Sequence, residues 1–326
     1  MSLIVATQDE YEDLLGLWSN LEAGLAMLLT HPASVQEFPL RVRQYDRWMQ
    51  DLLKQDTDVG LYLLFQLATH SPVGYSASHA LMCAVLCHLI AVDFALPLAQ
   101  RNSLVRASLT MNISMTALQN DMAHQSGRPN PQQQAAIDAH TQRSSQLLQD
   151  KSIDDALWLE TVRLHHTPMD SSSLPLNMLT PSRRLAYILQ VVDRYAAMIS
   201  PRESREGRSA AQSAQNILQG GGNQSGAVGQ ALVRVVGLSP PGTLVQLDDD
   251  RIAIVTRRSK TINQPDVAVV LQADGVPVRP PELLRTDQRQ PDIRSAVLPS
   301  AVPERINHQL ILQRSSVAAP IPAPVA

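Results

Sequence analysis

The chain has 326 residues, with 27 Lys and Arg against 30 Asp and Glu, a net charge of −3 and 44% apolar residues. It is long enough for two domains or one large one, apolar enough for a sizeable core, and too weakly charged for a dedicated nucleic-acid binder. Two Cys exclude a disulfide scaffold, and nine His stand out, since histidine is the commonest metal ligand.

Residues 1–68 read as an N-terminal helical region. The first 15 residues hold Asp9, Glu10, Glu12 and Asp13 and lack the basic start of a secretory signal, which predicts a cytoplasmic protein. Tyr11, Leu14, Leu15, Trp18, Leu21 and Leu25 recur at helical spacing, as do Tyr45, Trp48, Met49 and Leu52. No motif here carries chemistry, so packing against the next region or forming a homodimer is the expected use.

Residues 69–236 predict a second helical domain, broken at Pro97, at 127–131 and at 169–181. The stretch 80–99 is the most apolar in the chain. His88, Asp93 and Pro97 interrupt it, so it reads as a buried helix ending near Asp93 and not as a membrane span. Cys83 and Cys87 share a helical face with His79. They read as small buried thiols, with a zinc trio short of a fourth ligand as the alternative. Ser152-Ile153-Asp154-Asp155 predicts a capping box with Asp in the Glu slot. Thr180-Pro181 predicts an N-cap followed by proline at the first helical position. The segment 220–226 reads as a flexible loop, and no Lys-Ser/Thr follows to make it a phosphate cradle.

Beyond 237 the period changes. Thr243 to Leu247, Arg251 to Arg257 and Asp266 to Gln272 predict strands of a small β-rich extension, 237–280. Asp248, Asp249 and Asp250 read as a solvated turn between two of them. Residues 281–326 are rich in Pro, Arg, Gln and Ser and are expected to be a disordered tail.

The histidines fall on the inward faces of the predicted helices. His79 opens one, His140 shares a face with Ile137 and Leu147, and His165 and His166 end a third. Asp193 stands beside the stripe Leu185, Ile188, Leu189, Val192, Ala196 and Ile199. Each buried polar group costs about 1–3 kcal/mol if left unpaired. A shared metal would satisfy all of them together, as in other helical bundles.

The order of these residues resembles the HD-GYP subgroup of HD-domain phosphohydrolases over about 60–260. The features are a His at a helix head, the segment Ala107-x-Leu109-x-x-x-Ile113, an inward His140, the pair His165-His166 with Asp170 four later, and a helical Asp193. The segment 240–247 looks like the small β extension of that family. The resemblance implies a mainly α, HD-domain-like bundle holding iron or manganese, in proteins that hydrolyse cyclic di-GMP. It implies His79, His140, His165, His166 and Asp193 as metal ligands. It also places Asp170 at the head of the Gly-Tyr-Pro loop and Arg202 and Arg205 on a phosphate-binding Arg-Pro-Tyr-Arg element.

The departures are specific. The His-Asp-x-Gly-Lys motif is Met111-Asn112-Ile113-Ser114-Met115, the Gly-Tyr-Pro loop is replaced by 170–175, and Tyr75 stands where some members place a glutamate. Asn112 cannot bring the charge of a carboxylate bridging two metals, and a thioether at Met111 is a poor ligand for manganese. Met115 cannot stabilise phosphoryl charge as lysine does. Met111 extends an apolar stripe with Leu104, Ala107, Ser108, Met115 and Leu118.

The expected protein is therefore a catalytically inactive signalling relative of cyclic di-GMP phosphodiesterases. It would bind no metal or one divalent iron or manganese ion, and act through a protein partner, a second copy or a cyclic dinucleotide. The alternative is an active metal-dependent phosphodiesterase with a rearranged site.

Overall fold

The apolar run beginning at Tyr75 forms the helix around which the others pack. A computed structural model describes residues 8–71, 73–168, 175–203, 207–220, 223–259, 261, 264–286, 291–298, 302 and 306–317. Helices α1 (Gln8–Thr30), α2 (Phe38–Gln55) and α3 (Thr57–His70) precede the run, which is α4 (Tyr75–Ile90). There follow α5 (Leu98–Thr110), α6 (Thr116–Ala123), α7 (Pro131–Asp150), α8 (Ala156–Leu164), α9 (Pro181–Ile199), α10 (Ala210–Gly220) and α11 (Asn223–Val236). A sheet of β1 (Leu244–Leu247), β2 (Ile252–Arg257), β3 (Asp266–Leu271), β4 (Pro277–Arg285) and β5 (Ile293–Val297) comes next, and α12 (His308–Val317) ends the described chain.

In α4, 14 of 16 residues are buried, because the helix is apolar on every side and must be surrounded. It touches α1, α3, α5, α6, α9 and α11. Local signals place its neighbours. The Asp56 side chain caps α3 by accepting from Asp58 N and Val59 N, and Asn130 and Gln133 close a capping box on α7. Pro181 starts α9, whose inward stripe includes Leu185, Ile188, Leu189 and Val192.

The sheet is antiparallel in the order β4-β3-β2-β1-β5. Alternate residues face opposite ways. Leu244, Ile254 and Ala268 join the helical core, while Val245, Val255, Val267 and Val269 form a second small core. Arg257 pairs with Asp56 at 2.6 Å and Arg258 with Asp58 at 2.5 Å, fastening the sheet to the start of α3. Gly242, at φ 89°, lies so close to α3 that a Cβ would stand 2.4 Å from the Tyr62 carbonyl oxygen.

The mainly helical architecture with a small C-terminal sheet matches the sequence expectation. Among the described residues no helix is long and apolar enough to cross a membrane. Three expectations need correction. The region 281–326 is not featureless: β4 runs to Arg285, β5 spans Ile293–Val297, and α12 buries Ile311 and Leu312. Proline is tolerated in β4 because that strand is a sheet edge, with no outer neighbour to bond among the described residues. Of the loop expected over 220–226, the described residues are helical, since α10 ends at Gly220 and α11 begins at Asn223, while 221 and 222 lie outside the described residues. The capping box at 152–155 does not form. Ser152 takes a positive φ of 64°, and Asp155 alone caps α8 by accepting from Trp158 N at 3.0 Å.

Candidate metal centre

Four helices deliver the polar cluster. His79 stands one turn into α4, His140 in the middle of α7, His165 and His166 just beyond α8, and Asp193 in α9. His79, His140 and His165 are buried, while His166 is open at its outer edge.

On one side, His140 and His165 meet edge to face, with Nε2 atoms 3.4 Å apart. Each ring's Nδ1 bonds a carbonyl one turn back, of Ile137 for His140 and of Val162, at 2.7 Å, for His165. A carbonyl only accepts, so both Nδ1 atoms carry the proton. Burial holds both rings neutral, lowering the His140 pKa and pushing that of His165 down to about 3. Both Nε2 atoms then present lone pairs to each other. That is no hydrogen bond, but it is the arrangement in which backbone partners fix two imidazoles as metal ligands. Two nitrogens bound to one tetrahedral ion at about 2.0–2.1 Å would stand about 3.3 Å apart. The His166 ring completes this trio, 4.3 Å from His165 and 5.1 Å from His140 between centroids.

On the other side, His79 Nε2 lies 2.8 Å from Asp193 Oδ1 and 3.7 Å from Cys83 Sγ. Asp193 joins the two sides, with Oδ2 3.8 Å from His166 Nε2. Burial alone would raise the Asp193 pKa. The hydrogen bond from His79 and the surrounding His79, His166 and His165 rings instead hold it well below the usual carboxylate range. His140, His165 and His166 form one set of donors within 4.8 Å of one another, and His79, Cys83 and Asp193 form a second. Donor chemistry and opposed lone pairs both fit a divalent cation.

The structure thus brings together His79, His140, His165, His166 and Asp193. Asn112 lies on the turn between α5 and the 3-10 segment Ile113–Met115, and its Oδ1 is buried without a hydrogen-bond partner. Ser114 ties that turn to α7, since its Oγ donates to the His140 carbonyl at 3.1 Å and meets Ser144 Oγ at 2.9 Å. Met111 is buried, as its apolar stripe predicts. Arg202 donates to the Tyr75 hydroxyl at 2.9 Å and lies 4.7 Å above that ring, which stacks on His79. Asp170 and Arg205 lie outside the described residues.

Two neighbours that the sequence left as a glutamate replacement and as a buried thiol or zinc alternative gain a definite place. Tyr75 is the platform between His79 and Arg202, and Cys83 belongs with His79 and Asp193. The signal was the spacing 75-79-83, one helical face. Cys87 is apart from this set; burial pushes its thiol up to about 12, with a hydrogen bond to Ser108 opposing.

Among curated proteins, the chain is similar to a cyclic di-GMP phosphodiesterase of Pseudomonas aeruginosa, with 25% identity over 215 residues. The match covers 65% of this chain and 51% of that protein, so the chain spans about half the length of the curated relative it matches. No protein-family model and no solved structure matches the chain.

Proposed function

We propose that this chain is a non-hydrolysing regulatory relative of cyclic di-GMP phosphodiesterases, built on an HD-GYP-like helical core that holds one divalent ion. The observation that carries this reading is Asn112. Two-metal phosphodiester hydrolysis uses a carboxylate to bridge the ions. The residue at that place in the motif is a neutral amide, and its buried oxygen has no hydrogen-bond partner. Among the described residues the two donor sets contain one carboxylate, Asp193. A bound ion would supply Lewis-acid polarisation of a phosphoryl oxygen. One of the two donor sets would hold it, His140, His165 and His166 or His79, Cys83 and Asp193, and the Asp193 carboxylate lies beside both.

Arg202 fits a regulatory role better than a phosphate clamp, because Tyr75 already engages its guanidinium. The module would then signal through a protein partner or a second copy, using the surface around the exposed edge of His166. A second reading, an active phosphodiesterase with a rearranged site, shares the metal that the opposed Nε2 atoms of His140 and His165 suit and differs in whether the bound ion turns over a phosphodiester.

One preparation, purified without chelator, decides between them. Elemental analysis is expected to find up to one equivalent of transition metal, and incubation with cyclic di-GMP or linear pGpG and added Mn or Fe no turnover. Robust hydrolysis that His140→Ala abolishes would overturn the first reading and establish the second.

A further inference from the structure

We infer that Cys83 is a metal ligand, and that its thiolate makes the His79–Asp193 side of the cluster a zinc site. This inference rests on the metal-binding reading above and assigns it a sulfur donor and a preferred ion.

Cys83 follows His79 by one helical turn in α4, so both side chains leave the same face. Sγ lies 3.7 Å from His79 Nε2, and Asp193 Oδ1 lies 2.8 Å from the same nitrogen. A zinc ion with Zn–S of about 2.3 Å and Zn–N of about 2.0 Å at a tetrahedral angle sets sulfur and nitrogen about 3.5 Å apart. The sulfur and nitrogen are already near that spacing, and all three donor atoms lie within 4.8 Å of one another.

Hydrogen bonding gives the thiol only a weak partner in the metal-free state. Asp193 is held as a carboxylate and can only accept, so the proton between it and His79 sits on Nε2. Cys83 Sγ therefore meets an Nε2–H that already donates to Asp193, and it can accept from it only as a long second partner at 3.7 Å. His79 Nδ1 is buried without a partner, which leaves that ring unmatched in the metal-free state.

Charge balance points the same way. With Asp193 as the one carboxylate of the two donor sets, a divalent ion there is one negative charge short of balance. The Cys83 thiolate restores it. On binding, the ion displaces the thiol proton to solvent, and the His79 proton resides on Nδ1. Thiolate, carboxylate and a divalent ion then sum to zero, the condition for charges out of reach of water. A thiolate also discriminates between ions, favouring zinc and disfavouring manganese and magnesium.

The test uses the full chain stripped of metal and titrated with Co2+, an optical stand-in for zinc. The expected result is a near-ultraviolet thiolate-to-cobalt absorption that is lost in Cys83→Ser and kept in Cys87→Ser. Cys83→Ser should also weaken zinc binding at least about tenfold, with manganese binding changed less than about threefold. Zinc-edge X-ray absorption on the unaltered chain checks the result without any variant and should find one sulfur at about 2.3 Å. Cobalt bound with no such absorption, or an absorption surviving Cys83→Ser, would overturn the sulfur ligand and leave a histidine metal site standing. No binding of Co2+ or zinc at all would overturn both this inference and the metal-binding reading beneath it.

Discussion

Asp46 and Asp193 are both carboxylates drawn into the helical core, one in α2 and one in α9, and they are neutralised in different ways. Asp46 accepts from Gln50 Nε2 at 2.6 Å and from Arg106 Nε at 3.0 Å. Burial pushes its pKa up, while Gln50 and Arg106 pull it back. A guanidinium does not deprotonate in a protein, so that counter-charge is permanent. Asp193 meets imidazoles, whose charge depends on a proton or an ion. The first pair is complete as folded, whereas the second leaves room for a cation. That difference separates a structural polar cluster from a candidate site more sharply than the number of polar groups does.

The comparison can be broken most directly at Arg106. Replacing it with Met strands Asp46 without its cation and should cost about 3–5 kcal/mol in urea unfolding. Added zinc should restore none of that. A loss below about 1 kcal/mol would erase the distinction from the Asp46 side.

Asp193 should behave in the opposite manner. Zinc at a hundred times its dissociation constant should raise the stability of the unaltered chain by about 2.7 kcal/mol. Asp193→Asn should gain much less at the same zinc concentration. An equal gain, read by the same unfolding midpoints, would remove Asp193 from the site.

Glu22 sharpens the contrast as a buried carboxylate with neither arrangement. Its Oε1 accepts from Ser71 Oγ at 2.9 Å, and its Oε2 is buried without a partner. Burial pushes its pKa up to about 7, with the Ser71 hydrogen bond opposing. A raised carboxylate pKa means the folded state binds the extra proton between about 4.5 and 7. Stability from this group is therefore full below that window and lost as pH rises through it. Glu22→Gln should stabilise the chain by on the order of 2 kcal/mol at pH 8 and change little at pH 4. Equal effects at the two pH values would show that Glu22 titrates normally.

The smallest effect belongs to the partly exposed pair Arg258–Asp58, whose side chains are 31% and 18% exposed. Asp58→Asn should cost no more than about 1 kcal/mol in the same assay, because water screens such pairs. A larger cost would mean that sheet docking on α3 depends on this charge.

Much of the helical core was legible in the sequence because its stripes repeat at helical spacing, as along Leu185, Ile188, Leu189 and Val192. The four histidines and Asp193 were legible for the same reason, since inward polar residues interrupt those stripes. Cys83 was harder to place. Its partner Asp193 is 110 residues away on another helix, and only the packing of α4 on α9 brings them together. β4, β5 and α12 were hidden by composition. An edge strand tolerates proline that a central strand would not, and α12 shows the core little more than Ile311 and Leu312 in a polar stretch.

The docking of that last helix has a consequence for how the chain is handled. His308 Nδ1 meets the Tyr62 hydroxyl at 2.8 Å, and α12 lies on α1. A few residues along α3, Gln66 donates to the carbonyl of Gly242. The first helices are thus clasped by segments from late in the chain, so the two should melt together. A protease cut between β5 and α12 should loosen α1 and α3 as well as release α12. A polypeptide shortened at about 300 would lose solubility through its beginning, not its end.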